Sequence, residues 1–85
     1  MQRHCLILFR SLTYAQRAAR LLERGGITAT IRRAPQGLTD RGCTYCVQLR
    51  ELKMREALTL LEQRRLERGK VFLLEADGTA QEVRS

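Results

Sequence analysis

Eighty-five residues carry sixteen Lys and Arg against nine Asp and Glu, a net charge of +7, with 44% hydrophobic residues and a single proline. That composition excludes collagen-like and disordered chains, and the length allows one small core, residues 1–85 as a single domain, burying only about 60% of its unfolded surface. No apolar run approaches the ~18 residues of a membrane span, and "MQRHCLILFRS" has neither the apolar length nor the small-residue cleavage site of a signal peptide.

In chain order, "HCLILFR" (4–10) is an apolar run ended by the turn-like "RSLT", the pattern of a central strand buried on both faces. Ala15, Ala18, Ala19 and Leu22 then recur at helical spacing while Arg17, Arg20 and Arg24 fall elsewhere. The spacing predicts an amphipathic helix over 13–24, begun by a Thr13/Gln16 capping box, with Ser11 as a second candidate cap, and stopped by Gly25-Gly26. "ITATIRR" (27–33) alternates like a half-buried strand. Pro35, Gly37 and Gly42 break the pattern, so "APQGLTDRG" reads as a loop of nine residues, longer than the usual two to five of a hairpin. Alternation resumes at Cys43, with Tyr45, Val47 and Leu49 on its face and Thr44, Cys46, Gln48 and Arg50 on the other. A second helix is expected over 52–67, closed by Gly69, then a fourth strand over 70–75 and an Asp77-Gly78 hairpin to a short fifth.

Strand, helix, strand, strand, helix, strand is the order of a ferredoxin-like α+β sandwich, an antiparallel sheet ordered 4-1-3-2 with two helices on one face. This topology puts the end of the first strand, the start of the first helix and the start of the third strand on one edge. Cys43 is thereby expected beside Arg10, Ser11 and Thr13. It also leaves one apolar face without helices, since Leu6 and Leu8 oppose Ile7 and Phe9, and Phe72 and Leu74 oppose Val71 and Leu73. An uncovered face of that kind predicts a homo-oligomer or another protein seated on it.

The segment "RGCTYCVQL" raises the question of chemistry. Cys43 and Cys46, three apart on a strand, point to opposite faces about 10 Å apart, too far for a disulfide between them. Zinc would need four ligands where only Cys5 and His4 remain, far off in sequence, so no metal is expected. A redox Cys-x-x-Cys belongs at a helix start, and this one precedes a strand. Three cysteines without a scaffold spacing fit a reducing, cytoplasmic compartment. Cys43 remains as the candidate thiol, either a small buried hydrophobe or a thiolate favoured by Arg10, Arg41 and the helix N-terminus. Cys5 reads as core; Cys46 reads as exposed or packed on a partner.

The stretch "LILFRSLTYAQRAARLLERGGITATIRRAP", with Phe9, Ser11, Tyr14, Ala15 and Pro35, resembles the opening of a family of small bacterial selenium or sulfur carrier protein-like domains. In "RGCTYCVQL", Cys43 takes the position of that family's cysteine, and Thr44 departs from the glycine that follows it, removing the close backbone approach glycine allows. The resemblance implies a carrier without a cofactor, holding sulfur or selenium on Cys43 as a persulfide or selenosulfide between a donor protein and an acceptor protein. Arg10 and Arg41 would stabilise the anion and Ser11 and Thr13 would donate hydrogen bonds. The rival is a protein-interaction or assembly module without chemistry. A basic nucleic-acid-binding module ranks below both, because only four aromatic residues are present and no ribonucleoprotein signature is found.

Overall fold

A computed structural model describes residues 3–35, 37–38 and 45–83. Strand β1 (His4–Phe9) leads into helix α1 (Leu12–Arg24), then β2 (Thr30–Arg33), β3 (Tyr45–Arg50), a 3-10 turn (Glu51–Lys53), α2 (Met54–Gln63), β4 (Val71–Leu74) and β5 (Ala80–Val83). The strands form one antiparallel sheet in the order β2-β3-β1-β4-β5. The first four strands take the expected ferredoxin-like order, and the fifth adds to the β4 edge. Its hairpin follows from Asp77-Gly78: Gly78 takes φ +93, its N–H reaches the Glu75 carbonyl at 3.1 Å, and the Asp77 carboxylate accepts from the Thr79 backbone at 2.9 Å. A type I turn closed by a left-handed glycine gives this geometry.

Both helices end in the same six-residue closure. At α1 the Ile27 N–H reaches the Leu22 carbonyl at 2.9 Å and Gly26, at φ +84, reaches Glu23 at 3.0 Å; at α2 Leu66 reaches Leu61 at 2.9 Å and Arg65, at φ +54, reaches Glu62 at 3.0 Å. These are the paired bonds of the Schellman motif, with the apolar residue after each closure packed into the helix-side core. The second helix thus stops at Gln63, earlier than the expected 67, because Arg65 accepts the left-handed turn before Gly69 is reached. Gly25 has a different role: a Cβ there would stand 2.6 Å from Leu60 Cδ1, so any side chain at this position would require the Leu60 methyl to shift.

The helix side of the sheet buries Cys5, Ile7, Phe9, Val47 and Leu49 beneath Ala15, Ala18, Leu22, Ala57 and Leu61. On the opposite side Leu6, Leu8, Cys46 and Phe72 form a second core, against which Ala34, Leu38, Leu74 and Ala80 pack. Leu6 and Cys46 are 0% exposed and Leu8 is 1%. The expected uncovered face is therefore not found: the chain closes it with its own residues. Past β2, a turn with Gly37 at φ +89 and a 3.4 Å bond from Leu38 N–H to the Pro35 carbonyl returns Leu38 to the sheet. Leu74, expected to point outward, is half-buried in that core, so no bare apolar face here calls for a homo-oligomer.

Candidate functional site

The register decides what meets at the top of the sheet. Phe9 at the end of β1 lies opposite Tyr45, and Tyr45 lies opposite Arg33 on its other side. Immediately beyond Phe9 the chain turns into α1. Ser11 keeps extended angles (φ −149, ψ 158) and its Oγ accepts from the Tyr14 N–H at 3.3 Å, so Ser11 is the N-cap and the helix starts at Leu12. Thr13, the other candidate, is an exposed residue of the first turn instead. No acidic residue stands in that turn, which leaves the positive end of the helix dipole uncompensated.

Arg10 is exposed at the same corner, and its guanidinium is ion-paired with Glu67 and lies over the Tyr14 ring, 5.9 Å from its centroid. Arg33 stands over Tyr45 in the same manner at 5.7 Å. The corner thus gathers Arg10, Ser11, Tyr14, Arg33 and Tyr45, with Thr13 in the first turn of the helix. Sequence reasoning missed Glu67, Arg33 and Tyr45 as members. Glu67 falls within the helix expected over 52–67, which in fact ends at Gln63, while the Arg33–Tyr45 contact follows from the β2–β3 register. Cys43 and Arg41 lie outside the described residues, as does the expected separation of Cys43 from Cys46.

The two described thiols are sealed. Cys5 sits in the helix-side core and Cys46 in the opposite core, both at 0% exposure. Burial pushes the Cys5 thiol up to about 12, a rise that nearby Arg68 opposes and Glu51 reinforces. Burial raises Cys46 as well, with Arg32 acting against it. Thiolate formation, on which nucleophilicity and metal ligation depend, is disfavoured at both. Cys46 is accordingly neither exposed nor waiting for a partner. Among the described residues no group of His, Cys, Asp or Glu is placed to hold a metal ion, and no helix is long and apolar enough to cross a membrane.

A split sheet with a capped helix start beside the head of its third strand defines an α+β domain of the ferredoxin-like kind. The chain belongs to the family described as "Putative Se/S carrier protein-like", whose match covers residues 4–72 and so spans both helices and strands β1 to β3. Comparison with the curated proteins and with the solved structures finds no match.

Proposed function

We propose that the chain carries sulfur or selenium on Cys43, between a donor protein and an acceptor protein. The observation that supports this reading is one of elimination within a carrier family: of three thiols, Cys5 and Cys46 are each sealed in a core and held protonated, and neither can meet the persulfide of another macromolecule. Cys43 is the thiol left, inside the matched span. In the sequence only Thr44 stands between Cys43 and Tyr45, the β3 residue that pairs with Phe9 and Arg33.

The transfer is an exchange between sulfurs. The Cys43 thiolate attacks the terminal sulfur of the donor's persulfide, a new S–S bond forms to Cys43, and the electron pair of the old S–S bond leaves with the donor's thiolate. An acceptor nucleophile then attacks the same terminal atom and releases Cys43 as thiolate. Selenium moves by the same steps with Se in place of the terminal S, and no external oxidant or cofactor enters. The positive end of α1, with no first-turn carboxylate to offset it, favours the anionic forms at each stage. Arg10 would leave Glu67 to pair with the carried anion, an exchange between exposed partners whose existing pair is weak. Ser11 accepts from Tyr14 and retains its hydroxyl proton to donate; Thr13 and Arg41 complete the proposed set.

Incubation with a cysteine desulfurase and cysteine, followed by intact-mass analysis and peptide mapping, tests the proposal. One sulfur atom added at Cys43, absent from Cys43→Ser and retained by Cys46→Ser, is the expected result. Loading that survives Cys43→Ser, or that is lost equally with either substitution, would overturn it.

A further inference from the structure

The same molecule presents a second feature that sulfur chemistry leaves unused. A cleft of about 390 Å³ is lined by Arg17, Arg20, Leu21, Arg24, Arg64 and Leu66. Among the described residues that line it, four are arginines and none is a carboxylate. Among the described residues the ion pairs lie elsewhere, Arg3 with Glu51 and Glu75 and Arg10 with Glu67, so these four guanidiniums hold their charge in solvent without an acidic partner. Helix-end electrostatics accounts for two of them: Arg24 closes the last turn of α1 and Arg64 caps α2, where a cation opposes the negative end of the helix dipole. It does not account for Arg17 and Arg20, which stand in the middle of α1.

Arg17, Arg20 and Arg24 fall at i, i+3 and i+7, one stripe about 10 Å long on the helix. The leucines divide the readings of this stripe. Leu21 and Leu66 are half-buried, packed against the helix-side core from below and facing the cleft from above. An apolar floor with an arginine rim is the anatomy of a protein interface, in which the centre is dry and arginine is enriched. Nucleic acid would be held by stacking on aromatic rings, and the cleft has none.

We infer that this cleft docks an acidic, leucine-bearing helix of a partner protein, its carboxylates meeting Arg17, Arg20, Arg24 and Arg64 and its leucines covering Leu21 and Leu66. The arginine fork suits carboxylates in particular, since each can be gripped by two parallel N–H bonds. The inference does not depend on what Cys43 does.

The test is a titration of the isotopically labelled full chain, read at the arginine side-chain N–H and leucine methyl signals. The probe is a helical peptide with glutamates at i, i+3 and i+7 beside two leucines. Shifts at Arg17, Arg20, Arg24, Arg64, Leu21 and Leu66 are expected, with affinity about tenfold weaker in Arg17→Gln/Arg20→Gln. Arg32→Gln/Arg33→Gln, on the exposed β2 edge, should bind as the parent does, and so should Cys43→Ser, which separates this surface from the carrier reading. A peptide with its leucines changed to serine should bind more weakly. Three results would overturn the inference: equal loss in the β2 double variant, binding that leaves the leucine methyls unmoved, or a single-stranded RNA oligonucleotide that occupies the four arginines more tightly than the peptide. Circular dichroism of each variant confirms that the helices remain.

Discussion

The two faces of the sheet are equally dry and differently covered. On one, two helices lie over Cys5, Ile7 and Phe9; on the other, Leu6, Leu8, Cys46 and Phe72 are closed by strand neighbours and by Ala34 and Leu38 from the segment after β2. The difference lies in how each cover opens. Helices packed into the main core open with the whole fold, whereas cover supplied from outside the helices and strands opens locally at lower cost.

The largest effect that separates the faces is expected from truncating their central residues. Phe9→Ala removes a ring 1% exposed in the helix-side core, and should cost about 3 to 5 kcal/mol, enough to unfold a domain with so small a core. Leu8→Ala, equally buried on the other face, should cost nearer 2 kcal/mol, because a segment cover can settle into the space where packed helices cannot. Urea denaturation of both variants measures this; a larger loss for Leu8→Ala would mean that the segment is as rigid a lid as the helices.

Alkaline pH offers the next contrast. The folded chain holds the Cys5 thiol at about 12 against an ordinary 9.0, by burial first, so between roughly pH 9 and 12 the unfolded chain ionises a thiol that the folded chain keeps protonated. The contribution is fully present below pH 9 and is lost as pH rises through 12. Cys46 moves in the same direction. Stability measured from pH 8 upward should therefore fall less steeply in Cys5→Ala than in the parent chain. An unchanged slope would show that Cys5 is open to solvent.

What the sequence made legible was local. The apolar run of β1, the 3.6-residue recurrence in α1 and the Asp77-Gly78 turn each depend on neighbours in the chain, and the strand order followed from them. The misses are contests between local signals, or contacts with no local signal. Ser11 and Thr13 both had the chemistry of a cap; Ser11 won because the chain turns after Phe9 and Ser11 keeps non-helical, extended angles directly before the helix. The lid on the second face rests on Leu38, a single leucine between polar residues, which no periodicity can assign to a face. At the candidate site, topology predicted that Ser11 and the head of β3 would meet, while the Glu67 partner of Arg10 depended on where α2 stops.

Leu38→Ala probes that lid directly. The side chain is half-buried, so the loss of stability should be about 1 kcal/mol, and its main consequence kinetic. Alkylation of Cys46 in the folded chain should accelerate while that of Cys5 stays slow, since Cys5 is released only when the helices leave. In the parent chain Cys43 should label first and Cys5 last. Simultaneous labelling of Cys5 and Cys46 would mean that both faces open as one unit.

The smallest expected effect comes from the closure of the helical cover. Gly26 and Arg65 occupy the same position of the same motif, at φ +84 and φ +54, yet only glycine reaches that region without a Cβ conflict. For an ordinary residue the left-handed conformation costs about 1 to 2 kcal/mol, offset in part by the greater freedom glycine has when unfolded. Arg65→Gly should then stabilise the chain by about 0.5 kcal/mol, and Gly26→Ala should destabilise it by about 1 kcal/mol. Because the gain acts on α2 alone, Arg65→Gly should slow the labelling of Cys5 and leave the local opening at Cys46 unchanged. If both thiols slow together, the segment after β2 is coupled to the helices across the sheet, and the two covers behave as one.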